Sequence, residues 1–219
     1  MTKLLKFLAA PMLMLVLALA LAACNSGTPE GETPKEEAPK AAAPATTTQP
    51  SAQDTQTATT EQAEEDIVYL DLKDGRVTIR LRPDLAPNHV AQIKALVGQG
   101  FYDGIVFHRV IDGFMAQTGD PTGTGTGGSE LPDIKAEFTG EPFKRGVLGM
   151  ARAADPDSAN SQFFIMFADG DFLNGQYTVF GEVTGGMEHV DKIKRGTGQN
   201  GMVSDPDKII KMTLASDAG

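Results

Sequence analysis

Phe107-His-Arg-Val-Ile-Asp-Gly-Phe-Met-Ala-Gln-Thr-Gly-Asp120 is the stretch that decides the fold. With the residues just before it, it holds two short β-rich runs, Ile105–Ile111 and Phe114–Thr118. Upstream, Ile67–Leu72 and Gly75–Leu81 are two more, joined at Lys73-Asp74-Gly75, a hairpin signal. In the second of these, Val77, Ile79 and Leu81 share one face while Thr78 and Arg80 share the other, the alternation of a half-buried strand. Pro83 and Pro87 then break the chain before a helical segment in which Val90, Ile93 and Val97 recur at helical spacing. Gly98 and Gly100 stop it. Downstream, strands are expected at Val147–Ala151, Gln162–Phe167, Thr178–Val183 and Lys208–Leu214. A second helix is expected from about Gly186 to Arg195, with Met187, Val190 and Ile193 on one face. Many short strands separated by turns, with two helices far apart in sequence, predict a mainly β fold, an antiparallel barrel capped by helices.

Three further segments carry a pattern in register with the first. They are Gly149-Met-Ala-Arg152, Ser161-Gln-Phe-Phe-Ile165 and Leu173-Asn-Gly-Gln-Tyr-Thr-Val-Phe-Gly181. Together the four resemble the cyclophilin-type peptidyl-prolyl isomerases, and the resemblance runs from about Asp66 to Leu214. It implies an eight-stranded antiparallel barrel closed by a helix at each end, with no cofactor and no metal. It also implies the reaction: cis–trans rotation of the bond before proline in polypeptides.

That reaction makes limited chemical demands. Resonance in the C–N bond sets a barrier of ~18–20 kcal/mol, and the tertiary amide of proline makes both isomers accessible while exchange stays slow. No covalent bond breaks, so no nucleophile is required. A donor or cation near the prolyl nitrogen favours the twisted state, and a pocket grips the ring. By the resemblance, Arg109 is the catalytic arginine, suited by its permanent charge and several donors. Phe114, Met115, Phe164 and Leu173 match the apolar proline pocket. Gln117 and Gln162 match positions that hold Arg109 and the substrate backbone, and Ala151, Arg152 and Ala153 match the edge along which the peptide lies. Phe172 stands where many eukaryotic members carry Trp, and Tyr177 where they carry His. Phenylalanine lacks the indole N–H, so cyclosporin binding is expected to be weaker than in Trp-bearing relatives. The tyrosine keeps a ring and a donor.

The first 65 residues lie outside the resemblance. Lys3 and Lys6 precede an unbroken apolar run from Phe7 to Ala23, and the run ends in Leu21-Ala22-Ala23-Cys24. Residues 1–24 thus read as a secretory signal that resembles a bacterial lipoprotein leader, with Cys24 as the lipidated residue. An uncleaved membrane helix is the alternative, although 17 residues are short for spanning ~30 Å of hydrocarbon. Either reading places the remainder outside the cytoplasm, on a membrane that faces the periplasm in the lipoprotein reading. Residues 25–65 contain no aromatic residue and no Val, Ile, Leu or Met, so they cannot offset the entropy of ordering. They read as a tether to the folded domain at 66–219, with a random-coil reach of roughly 35–40 Å.

Composition removes other classes. A net charge of -10 without a basic cluster argues against a nucleic-acid partner. The single cysteine excludes an intramolecular disulfide. Gly123-Thr-Gly125-Thr-Gly-Gly128 fits G-x-G-x-x-G, but Pro132 discourages the helix a dinucleotide site requires, so a flexible loop is expected. His89, His108 and His189 lack metal-ligand spacing. His89 is expected on an exposed helix face and His108 as a hydrogen-bonded core residue. Ser158 and Ser161 near Asp155 and Asp157 lack the G-x-S-x-G elbow of a hydrolase. An enzyme and a binding module of the same fold remain the competing readings. The set Arg109, Phe114, Gln117 and Phe164 favours the enzyme. A monomer is the default expectation.

Overall fold

In the hairpin at Lys73-Asp74-Gly75, β1 (Ile67–Leu72) returns antiparallel as β2 (Gly75–Leu81), with Leu72 opposite Gly75. The expected alternation holds: Val77, Ile79 and Leu81 are buried, and Thr78 and Arg80 are not. The computed structural model describes residues 65–218, so the leader with Cys24, and the tether up to residue 64, lie outside the described residues.

Six more strands complete one antiparallel sheet: β3 (Arg109–Ile111), β4 (Met115–Thr118), β5 (Val147–Met150), β6 (Phe163–Met166), β7 (Val179–Gly185) and β8 (Lys211–Leu214). Their order is β3-β4-β6-β5-β7-β2-β1-β8. The sheet curls until its edges meet. Gly104 N–H donates to Ile209 O at 2.8 Å, Ile209 N–H to Ile105 O at 2.8 Å, and Phe107 N–H to Asp207 O at 2.9 Å. These bonds cover the open edges that an uncurled sheet would expose. Residues 105–108 and 208–210, expected as parts of regular strands, form this seam through bridges such as Val106 to Lys208.

The first helix, α1 (Pro87–Gly98), starts on proline, whose missing N–H costs nothing there. It buries Val90, Ile93, Leu96 and Val97. The second, α2 (Met187–Val190), stops well short of Arg195. Tertiary partners take the backbone that would have continued it: Lys194 N–H donates to Asp207 Oδ2 at 2.8 Å, and Gly196 N–H to Val110 O at 2.9 Å. Inside the curl, Phe163 lies edge-on to Tyr102 at 5.5 Å and to Phe180 at 5.9 Å, all three fully buried.

Two histidines depart from expectation. His89 is fully buried, not exposed, because Glu137 arrives from a distant loop. The carboxylate of Glu137 lies 2.6 Å from His89 Nδ1 and accepts the backbone N–H groups of Asn88 and His89, capping α1 where its N-cap residue, Ala86, offers no side chain. His108 is buried as expected, but neither ring nitrogen has a hydrogen-bond partner. Burial lowers the pKa of both imidazoles, outweighing Glu137 at His89 and Asp120 at His108.

Truncating Phe163 to alanine should cost about 3–5 kcal/mol of unfolding free energy, read from chemical denaturation. The histidines set a second expectation. Their folded pKa values lie below the unfolded value near 6.5, so on acidification the unfolded chain takes up protons first. Their contribution is intact above about pH 6.5 and is lost below it. Melting temperature should therefore fall from pH 7 to pH 5; a flat profile would contradict the burial of neutral imidazoles.

Candidate active site

Four strands align one row of side chains. Arg109 on β3 stands opposite Gln117 on β4, Gln117 opposite Phe164 on β6, and Phe164 opposite Gly149 on β5. Because strand neighbours face opposite ways, β6 divides its four residues between two layers. Phe163 and Ile165 enter the core inside the curl, while Phe164 and Met166 join Met115, Phe143, Val147, Leu173 and Val179 in a second cluster. Gly149 is required in this row. A Cβ there would lie 2.4 Å from Phe164 Cζ and 2.6 Å from Phe143 Cε1. The ring of Phe164 fills that space, stacked on Phe143 at 5.7 Å and edge-on to Tyr177 at 5.8 Å.

Over this cluster opens a pocket of about 430 Å³. Its wall brings together Arg109, Phe114, Met115, Gln117, Ala151, Arg152, Phe164, Phe172, Leu173 and Tyr177. Met115, Phe164 and Leu173 form the buried floor, and Phe172 stands 64% exposed at the rim, its ring 5.4 Å from that of Phe114. Ala153 and Gln162 line a neighbouring pocket of about 590 Å³ that shares Gln117, Ala151 and Arg152 with the first. Every site residue expected within the described region therefore lies on one of two adjoining pockets.

A chain of neutral amides fixes the guanidinium. Arg109 Nη1 donates to Gln117 Oε1 at 3.1 Å, and Gln117 Nε2 donates to Gln162 Oε1 at 2.9 Å. Gln162 Nε2 in turn donates to Gly127 O at 2.8 Å and Gly125 O at 3.2 Å. On its other side Arg109 Nε donates to Asn200 O at 3.0 Å. Burial lowers the pKa of Arg109 below the usual guanidinium value, with Tyr177 opposing. The loop that ends this chain is the Gly123–Gly128 segment. It is a loop, as expected, but a tied one: the backbone N–H groups of Thr122, Thr124 and Gly125 donate to the carboxylate of Asp120. Burial opposes ionisation of Asp120, yet the Thr122 hydroxyl and the backbone N–H groups of Thr122, Gly127 and Gly125 prevail and bring its pKa down to about 2.

At the end of β5 the chain leaves the ladder. Ala151 N–H still donates to Gln162 O at 2.9 Å. The backbone N–H and C=O of Arg152 have no partner among the described residues, leaving a free edge beside the pocket. The guanidinium of Arg152 lies 4.8 Å from the ring centre of Tyr177 and donates to Gln176 O at 3.0 Å. Ser158 and Ser161 are spent on the backbone, donating to Asp155 O and Gly119 O. Gln176 on the wall and Asn200 behind Arg109 were missed by the sequence reading. Gln176 sits inside a quoted motif, but Asn200 acts through its main chain and carries no residue-type signal.

The chain is similar to known proteins over this whole region. The family model described as cyclophilin type peptidyl-prolyl cis-trans isomerase matches residues 67–214. A probable peptidyl-prolyl cis-trans isomerase of Brucella suis is 61% identical over 165 residues, covering 70% of this chain and 84% of the relative. Peptidyl-prolyl cis-trans isomerase B of Bacillus subtilis is 46% identical over 131 residues, covering 58% of this chain and 90% of the relative. Among solved structures, a cyclophilin of Hirschia baltica superposes with a TM-score of 0.63 at 28% identity, over 70% of this chain and 75% of its own. A Cryptosporidium parvum cyclophilin type isomerase, crystallised in the presence of the dipeptide Ala-Pro, superposes with a TM-score of 0.63 at 29% identity, over 68% of this chain and 98% of its own. Fold, family match and relatives agree: the chain belongs to the cyclophilin-type peptidyl-prolyl cis-trans isomerase family and is a peptidyl-prolyl cis-trans isomerase.

Proposed function

We propose that the chain catalyses rotation about X-Pro bonds in exported polypeptides, assisting their folding close to a membrane. The observation that carries the mechanism is the placement of Arg109 on the wall of an apolar pocket, held by Gln117. A proline ring fits over Met115, Phe164 and Leu173, with Phe114 and Tyr177 at the sides. The peptide lies along Ala151, Arg152 and Ala153, where the backbone of Arg152 is free to pair with it. Gln162 supports Gln117 and the loop above. As the amide twists, its nitrogen becomes pyramidal and gains a lone pair, and the donors of Arg109 favour that state over the planar one. The Ala-Pro dipeptide used with a relative supports a proline-containing substrate. The exposed rim residue Phe172 offers no indole donor, so cyclosporin is a weak ligand.

The N-terminal sequence supports the location. Cys24 carries the lipid, residues 25–65 serve as tether, and the monomeric domain works outside the cytoplasm on the periplasmic side. One acyl chain alone binds a membrane only marginally, so the anchor carries more than one.

Isomerisation of a short X-Pro peptide, followed by exchange spectroscopy with the full chain, tests the mechanism. Arg109→Ala should lower kcat/KM by about 10²-fold, the usual cost of removing a transition-state donor, with an unchanged circular dichroism spectrum. A folded but inactive wild type would transfer the assignment to a binding module. The anchor is tested separately: Cys24→Ser should move the protein from the membrane fraction to the soluble extracytoplasmic fraction, and retention in the membrane would favour the uncleaved helix.

A further inference from the structure

The arginines of the domain fall into two groups. Five of the seven among the described residues pair with an Asp or Glu carboxylate at 2.7–3.3 Å. Arg109 and Arg152 are the two without a carboxylate partner, and both line the 430 Å³ pocket, whose wall contains no Asp or Glu. In a chain with a net charge of -10, that concentration of unneutralised positive charge at one pocket sets it apart from the rest of the surface.

Arg152 is held in place without being neutralised. Its Nη1 donates to Ala153 O at 3.0 Å and its Nη2 to Gln176 O at 3.0 Å, and the guanidinium lies over the ring of Tyr177. Carbonyl dipoles and an aromatic face orient a cation while leaving its charge available to a second partner. The mechanism above needs only the main chain of Arg152, which leaves its side chain without a role. The adjoining pocket differs in sign balance, because there Asp133 accompanies Arg152.

We propose that Arg152 determines specificity, selecting substrates with an acidic side chain on a residue that directly flanks the proline. The assignment rests on the reading that the proline ring occupies the 430 Å³ pocket and the peptide follows Ala151–Ala153. In that pose a side chain beside the ring that faces the 430 Å³ pocket has Arg109 and Arg152 on the wall around it and no Asp or Glu. With Arg109 engaged at the twisting amide, a glutamate or aspartate there gains from Arg152, a lysine is repelled, and alanine is indifferent.

The experiment uses the full chain and peptides of one length with Ala, Glu or Lys before the proline, and a matching set with the change after it. For wild type, kcat/KM for Glu should exceed that for Ala by roughly three- to fivefold at one of the two positions, as expected for a solvent-accessible charge pair. Lysine at that position should fall below alanine, and the preference should shrink toward one in ~0.5 M salt as screening tightens. Arg152→Gln should bring the Glu-to-Ala ratio to about one, and Arg152→Lys should retain most of it. The ratio is internal to each variant, so a general change in rate does not move it. Equal rates for Glu, Ala and Lys at both positions by an active wild type would overturn the assignment, as would a ratio that survives Arg152→Gln. Failure to turn over any peptide would overturn the isomerase mechanism beneath it, an outcome distinct from activity without preference.

Discussion

The burial of β6 on both faces is the constraint on which the rest of the structure depends. Four consecutive buried residues, Phe163 to Met166, serve two apolar layers at once. Phe163 and Ile165 hold the interior of the curled sheet, and Phe164 and Met166 hold the cluster beneath the pocket. The pocket floor is therefore continuous with the stability core through a single strand. The backbone of β6 cannot shift without disturbing Tyr102 and Phe180 on one side or Phe143 and Tyr177 on the other. Close-packed interiors transmit such shifts rather than absorb them, so the strand that holds the core also holds the pocket floor.

The polar part of the site obeys a second constraint, that a cation be held without being spent. A carboxylate beside Arg109 would fix it firmly and also quench the charge that the mechanism requires. Gln117 and Gln162 supply direction instead, with neutral dipoles passed along to the carbonyls of Gly125 and Gly127. The negative charge that organises the far end of the chain, Asp120, is engaged by the backbone of its own loop. Among the described residues, the carboxylates that pair with arginine do so on the surface, Asp120 is held within its loop, and none lines the 430 Å³ pocket.

Much of this was legible in the residues. The alternation of Gly75–Leu81 and the spacing of Val90, Ile93 and Val97 gave strand and helix directly, because one face of each packs on a single core. The site was legible only through resemblance, since Phe114, Met115, Phe164 and Leu173 look like ordinary core residues until the second face of the sheet, carrying Met115 and Phe164, meets the turns that carry Phe114 and Leu173. What could not be read depends on partners remote in sequence. Glu137 buries a histidine 48 positions away that otherwise belongs on a wet helix face. Asp207 and Val110 draw off the backbone that local periodicity would have continued as helix beyond Val190. Asn200 supports Arg109 through a carbonyl that every residue type possesses.

These features suit the reaction. Rotation about an amide transfers no proton, so nothing in the proposed mechanism has to titrate at working pH. Arg109 stays charged even with its pKa lowered by burial, since a guanidinium begins far above neutrality. His89 and His108 are buried and do not line the pocket wall, although His108 adjoins Arg109 and feels its charge. The burial of these neutral imidazoles ties acid sensitivity to the stability of the fold.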